Sequence, residues 1–202
     1  MPRTVGALLL AAGYGRRFGG DKLLAPLSSQ SGANLVFEQT LARLSEAIDE
    51  IVVVTRPELA PKLQPLIARG ASQRPGTDIS LLSFDQASRG MGASLAFAAR
   101  HLPRWDGTLI CLADMPHILT QSYAQLASAG AHDNILIPVC EGQRGHPVFF
   151  GSDYFPALRE LTGDSGARSL LQKYSARTLA LDLGDSGILL DIDTPEDLSD
   201  HT

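Results

Sequence analysis

Apolar residues fall into short unbroken runs, separated by stretches that repeat with a helical period. Residues 4–11, 51–55, 79–84, 108–112 and 135–139 carry little or no polar alternation, the pattern of strands buried on both faces of a parallel sheet. After the first run, residues 23–32 hold Pro26, three serines and Gly32 and read as an irregular crossing. Asn34 is placed to cap a helix running to about residue 47, with Glu38 in its first turn and Phe37, Leu41, Leu44 and Ile48 along one face. Pro57 opens a second helix over 57–69, weakened by Pro61 and Pro65 and ended by Gly70, with a polar loop over 71–77. Further helices are predicted over 95–100 and 121–129, from Asp153 and Pro156, and over 169–174. Residues 142–145 read as a hairpin turn into 146–150, and 177–183 as a last strand. Thr194 is placed to cap a final helix with Pro195 at its first position. This alternation over residues 1–202 predicts a single Rossmann-like three-layer α/β/α domain with a mostly parallel sheet.

Composition narrows the class. A chain of 202 residues suits one α/β domain, and 44% hydrophobic with 19% charged residues suits an ordinary globular core. The net charge of −5 argues against a general binder of nucleic acid or anionic membranes. Cys111 and Cys140 each sit in an apolar run and read as buried thiols rather than a disulfide or a metal pair. No apolar run reaches the roughly 18–20 residues of a membrane span. Cleavage of a leader after the first apolar run would remove the first strand, so a cytoplasmic protein is expected.

The candidate chemistry begins where the first strand stops. Ala11-Ala12-Gly13-Tyr14-Gly15-Arg16-Arg17-Phe18-Gly19-Gly20-Asp21-Lys22 sets small residues and glycines beside fixed positive charge. Backbone N–H groups in such a loop form an anion-binding concavity, with Arg as a planar fork and Lys as a point charge. The alternative is a strand followed by a plain basic turn. Two common owners of glycine loops are excluded by spacing. Gly13, Gly15 and Gly19 give G-x-G-x-x-x-G, one residue longer than the dinucleotide fingerprint, and the second strand ends in Thr55-Arg56 with no ribose-binding carboxylate. Gly15 and Gly20 have the spacing of a P-loop, but Asp21 precedes Lys22 and Leu23 follows it.

Two more stretches carry chemistry. Asp85 to Leu95 is a second small-residue loop that leads into a helix N-terminus, a place that suits an anion or a polar ligand edge. Asp114 follows the fourth strand, and ligands of open α/β sheets lie beyond such strand ends. A carboxylate there suits Mg²⁺, or else only caps the next turn. Asp191 and Asp193 share a face if that segment is extended. His146 beside a turn is a ligand or acid–base group only if the fold brings chemistry to it.

Taken together, the blocks resemble the MobA-like nucleotidyltransferases, and among them most the molybdenum cofactor cytidylyltransferases. The resemblance rests on Leu10-Ala11-Ala12-Gly13, then Arg17-Phe18-Gly19 and Lys22; on Gly90-Met91-Gly92-Ala93-Ser94-Leu95; on Asp114-Met115-Pro116; on Gly145-His146-Pro147-Val148; on Gly163-Asp164-Ser165-Gly166-Ala167-Arg168; and on Asp191-Ile192-Asp193-Thr194-Pro195-Glu196-Asp197-Leu198. Phe18 stands where the family usually has Met, and the segment before Gly90 lacks the Asn-Pro-Asp-Trp of many members. The resemblance implies transfer of a nucleotide from an NTP to a phosphorylated acceptor with release of pyrophosphate. It implies that Leu10, Ala11, Ala12, Gly13, Gly15, Arg16, Gly90, Gly92 and Ser94 bind the nucleotide, and that Arg17 and Lys22 grip the triphosphate. It implies that Asp114 and Asp193 hold Mg²⁺, with Asp191 in reserve, and that His146, Asp164 and Arg168 meet the acceptor. The Ala-Ala-Gly form, where guanylyl members show Leu-Ala-Gly-Gly, implies CTP as donor and molybdopterin or molybdenum cofactor as acceptor. A molybdoenzyme or its maturation chaperone is then the expected partner. A relative using GTP or another NTP with a sugar, polyol or lactate phosphate is the alternative, and a cofactor-carrying chaperone without turnover is the alternative outside enzymes.

Overall fold

A computed structural model describes residues 3–27 and 35–198. The buried runs become strands β1 (Val5–Ala11), β2 (Glu50–Thr55), β3 (Asp78–Ser83), β4 (Gly107–Leu112) and β5 (Ile135–Cys140), each within a residue or two of expectation. β6 (Gln143–Arg144), β7 (Val148–Gly151) and β8 (Thr178–Asp182) complete one sheet in the order β3-β2-β1-β4-β7-β5-β6, with β8 on the other edge of β5. β1, β2, β3 and β4 run parallel, as does β8 beside β5, while β7 is antiparallel to both of its neighbours. The expected α/β architecture with a mostly parallel sheet is therefore present.

Alternation along the strands fills two layers. Ala7, Leu9 and Ala11 of β1 pack with α1 (Val36–Ser45), α2 (Ala60–Gln73) and α4 (Thr120–Ala129). Leu8, and Ala12 just beyond the strand, pack on the opposite side with α3 (Met91–Ala99), α5 (Phe155–Arg159) and α6 (Arg168–Lys173). Full burial of a leucine side chain contributes about 1.5–3 kcal/mol, so the unbroken β1 run stabilises both layers at once. The chain passes from β1 out to β2 and β3, then returns past β1 to β4. That reversal opens a crevice between the carboxyl ends of β1 and β4, where open α/β sheets bind ligands. No described helix is long and apolar enough to cross a membrane.

Several boundaries differ from the expected ones, each for a local reason. Asn34 and much of the 23–32 crossing lie outside the described residues. At Leu35 the backbone N–H donates to Glu38 Oε2 at 3.1 Å, so Glu38 serves the start of α1. α2 begins at Ala60 rather than Pro57, because the Arg56 carbonyl first accepts from Leu59 and Ala60 in a separate turn. It also runs past Gly70, whose missing Cβ brings it against Leu41 of α1; a Cβ there would lie 3.3 Å from Leu41 Cδ2. The hairpin turn is Glu141-Gly142, earlier than expected, with φ of 50° and 78° and Cys140 paired to Gln143. His146 and Pro147 consequently precede β7 instead of opening it. The final helix is a single 3₁₀ turn, Pro195–Leu198; Thr194 donates to Asp197 Oδ2 rather than capping the turn with its own oxygen.

Candidate active site

Buried hydroxyls brace the strand ends that carry the site. Thr55 at the end of β2 donates to the Ala11 carbonyl at 2.9 Å, and Thr40 of α1 to the Ala113 carbonyl at 3.0 Å. From the end of β1 the chain enters the glycine loop. Gly15 has φ of 56°, and a Cβ there would lie 2.6 Å from the Gly20 carbonyl oxygen, so only glycine lets the loop fold back on itself. Phe18 and Gly19 donate to the Gly15 carbonyl, and the loop returns the chain to Lys22 at the crevice.

Lys22 points between two carboxylates. Its Nζ lies 2.5 Å from Asp114 Oδ2 and 3.1 Å from Asp193 Oδ1, and its side chain is 13% exposed. Burial pulls the ammonium's pKa down, but Asp114 and Asp193 outweigh it and hold the pKa above the ordinary lysine value. Arg17, 75% exposed, reaches Asp193 Oδ2 at 2.6 Å. Asp191 stands beside them: one oxygen from each of Asp114, Asp191 and Asp193 lies within 4.8 Å of the other two. Burial, then the charges of Asp193 and Asp114, raise the Asp191 pKa. The Ile192 N–H donates to the Asp114 carbonyl at 2.9 Å, and Ile192 itself is fully buried. That bond helps to place Asp191 and Asp193 beside Asp114, with Lys22 and Arg17 also holding Asp193. Both oxygens of Asp193 face cations, whereas Asp114 Oδ1 is buried without a hydrogen-bond partner. Three clustered carboxylates with an unsatisfied oxygen are a donor set for a hard divalent cation.

A cleft of about 540 Å³ opens over this group. Leu10, Ala12, Gly13, Gly15, Arg16 and Arg17 line it together with Gly90 and Ser94. Ala11 and Gly92 stand back from its wall. The Ala11 side chain packs in the layer shared with α1, and Gly92 donates its N–H to the Gly163 carbonyl at 2.8 Å. A Cβ on Gly92 would meet the Thr162 oxygen at 2.6 Å, and one on Gly90 the Asp164 Oδ1 at 2.2 Å, so the 162–166 turn sits directly on the start of α3. Beyond it lies a second cleft of about 770 Å³, with His146, Arg168 and Arg144 at its polar side and Ile110, Ile137 and Phe150 on its floor. Leu10, Met91, Leu112 and Asp164 line both clefts, which makes them neighbours. Burial lowers the His146 pKa; the Ile110 carbonyl and Asp114 oppose it only in part, and the ring's buried Nδ1 has no partner.

Sequence reasoning missed three contributors. Tyr14, a large side chain that stays exposed, lines the nucleotide-sized cleft, and Arg144 lines the second cleft, next to the early hairpin turn. Arg56 is the third. It donates to the Gly13 carbonyl at 2.6 Å, pairs with Asp21 and lies 5.1 Å from the Tyr14 ring centroid. Lys62 reaches the same Asp21 at 2.6 Å, and its hydrogen bond, only partly opposed by burial and helped by Arg56, holds the Asp21 carboxyl below the usual range. Nothing in spacing announces an arginine whose partners lie on another loop.

A family model described as a MobA-like NTP transferase domain matches residues 7–178. Purine catabolism protein PucB of Bacillus subtilis (strain 168) is 34% identical over 199 residues, spanning 97% of this chain and 94% of that protein. Among solved structures, Rv0371c from Mycobacterium tuberculosis H37Rv superposes with a TM-score of 0.75 at 27% identity, covering 98% of this chain and 96% of that one. A manganese complex of Rv0371C matches with a TM-score of 0.73 at 25% identity, covering 98% and 96%.

Proposed function

We propose that this chain, which belongs to the MobA-like NTP transferase family, transfers CMP from CTP to the phosphate of molybdopterin or a molybdenum cofactor and releases pyrophosphate. The observation that carries the reading is the meeting of Lys22 and Arg17 with three carboxylates at the carboxyl ends of β1 and β4, under a cleft of nucleotide size. An oxygen of the acceptor phosphate attacks the α-phosphorus of CTP; the α–β bridging P–O bond breaks, and pyrophosphate leaves with the electron pair. The acceptor oxygen is already ionised near neutral pH, so no side chain need take its proton. The work left to the protein is alignment and charge stabilisation.

The residues divide that work. Leu10, Ala12 and Gly13 seat the base and ribose, with Gly90 and Ser94 across the cleft. The Ala12 methyl narrows the base end, which favours a pyrimidine by at most a few kcal/mol. Arg17, mostly exposed, closes on the β- and γ-phosphates. Lys22 gives two of its three N–H donors to Asp114 and Asp193 and keeps one for a phosphate oxygen. Asp114 and Asp193, with Asp191 beside them, would hold Mg²⁺, and the manganese complex of a relative supports use of a divalent ion. When bound, that ion neutralises charge shared by the α-phosphate and the leaving pyrophosphate. The second cleft, with an apolar floor and Arg144, His146 and Arg168 at its rim, suits a flat heteroaromatic acceptor carrying a phosphate. A molybdoenzyme or its chaperone would then receive the product.

The test is incubation with each NTP, Mg²⁺ and molybdopterin, with pyrophosphate release and nucleotidylated product measured together. CTP with molybdopterin is expected to turn over fastest. Turnover confined to GTP with a non-pterin phosphate would overturn the reading, and tight binding of product without turnover would favour the carrier alternative.

A further inference from the structure

Arg56 is the buried arginine of the described residues. A buried guanidinium is tolerated only where its charge and donors are met. Its two close partners, the Gly13 carbonyl and the Asp21 carboxylate, are the first and last parts of the glycine loop, and the ring it faces is Tyr14 of the same loop. Glu58, at 3.8 Å and exposed, is a weaker neighbour. Arg56 does not line the nucleotide cleft. Between the two anchors lie Gly15, Gly19 and Gly20, with Arg17 in the middle and Lys22 next to the second anchor. Ordering each such residue costs about 1–2 kcal/mol in backbone entropy, most for glycine. A loop of this composition held only by its internal turns would meet a ligand in many conformations. A planar fork spans both anchors at once, which a lysine ammonium does not.

We propose that Arg56 is a positioning residue: it ties the two ends of the loop to the end of β2 and so presets Arg17 and Lys22 for a polyanionic ligand before that ligand arrives. This rests on reading the cleft as a triphosphate site, but the loop's order in the free chain is measurable without it. The side chain touches no substrate; it acts through the loop, lowering the ordering free energy that binding must otherwise supply.

Two readouts test this on the full chain. The first is limited trypsin cleavage after Arg16 and Arg17 without ligand, well below Tm, in the parent, Arg56→Ala, Arg56→Lys and Asp21→Asn. The second is the Kd for CTP with Mg²⁺. Arg56→Ala is expected to be cut at the loop at least tenfold faster and to bind CTP at least tenfold more weakly. Arg56→Lys should recover only part of each, and CTP should protect the parent loop. If Arg56→Ala does not fold, Asp21→Asn, which removes one anchor, is expected to move both readouts several-fold. Loop cleavage as slow as the parent's, or faster cleavage with undiminished CTP affinity, overturns the proposal. A parent that binds no NTP sinks the triphosphate reading, and the cleavage rates then decide the clamp alone.

Discussion

Replacing Lys22 with methionine removes the ammonium between Asp114 and Asp193 and keeps most of the side chain's length. At an effective dielectric constant of about 20, unit charges at 2.5 Å and 3.1 Å attract by roughly 5–7 kcal/mol each. Desolvation and rearrangement offset most of that, and removing one partner of such a half-buried group leaves a net loss of about 2–4 kcal/mol. Asp114, Asp191 and Asp193 would then repel one another with Arg17 as their nearby cation. For a chain of this size that loss lowers Tm by roughly 5–15 °C. A divalent ion can take over the missing charge, so it should stabilise the variant more than the parent. The assay is thermal unfolding in EDTA and again across a Mn²⁺ titration, with nucleotide transfer measured alongside. The expected result crosses over: Lys22→Met is the less stable protein without metal, gains more Tm per added Mn²⁺, and loses at least about 10²-fold in turnover, the scale of one strong electrostatic group. An unchanged Tm in EDTA with an unchanged Mn²⁺ response would refute the view that Lys22 balances the carboxylates.

Three further outcomes follow from the same geometry. Asp114→Ala should keep the fold by circular dichroism yet reduce turnover by about 10²-fold or more; near-normal activity would end its metal role. Gly92→Ala drives a Cβ toward the Thr162 and Gly163 carbonyl oxygens, so a stability loss of about 1–3 kcal/mol in urea unfolding and a several-fold higher KM for the NTP are expected, since the turn forms a wall of both clefts. His146 has its pKa lowered by burial, so the unfolded chain takes up a proton on that residue before the folded one does. Its contribution is therefore complete above the unfolded value of about 6.5 and is lost as pH falls below that toward the folded value. A Tm–pH series in which His146→Asn runs parallel to the parent between these limits would contradict this.

The sequence disclosed the sheet because β1, β2 and β4 are buried on both faces and so carry no polar alternation. It disclosed the Asp191–Asp193 pair because an apolar Ile192 separates them. It misplaced the start of α2, where Pro57 belongs to a preliminary turn on the Arg56 carbonyl, and the end of α2, where Gly70 marks a close helix crossing instead of a stop. Both errors share a cause: a residue suited to a boundary was placed by a tertiary contact. The same holds for Arg56, whose hydrogen-bond partners, Gly13 and Asp21, are 43 and 35 positions away. Arg17, Lys22 and Asp114 were legible as chemistry; that Lys22 sits between Asp114 and Asp193 was not, since Asp193 lies 171 positions from it.

The bond from the Ile192 N–H to the Asp114 carbonyl also sets an order in time. Synthesis delivers β1 to β4, the glycine loop and Asp114 before the segment holding Asp191 and Asp193. A nascent chain at that stage has only one of the three clustered carboxylates. Domains form from the amino end as they emerge. The three-carboxylate cluster is therefore complete only once the segment of Asp191 and Asp193 has docked beside Asp114.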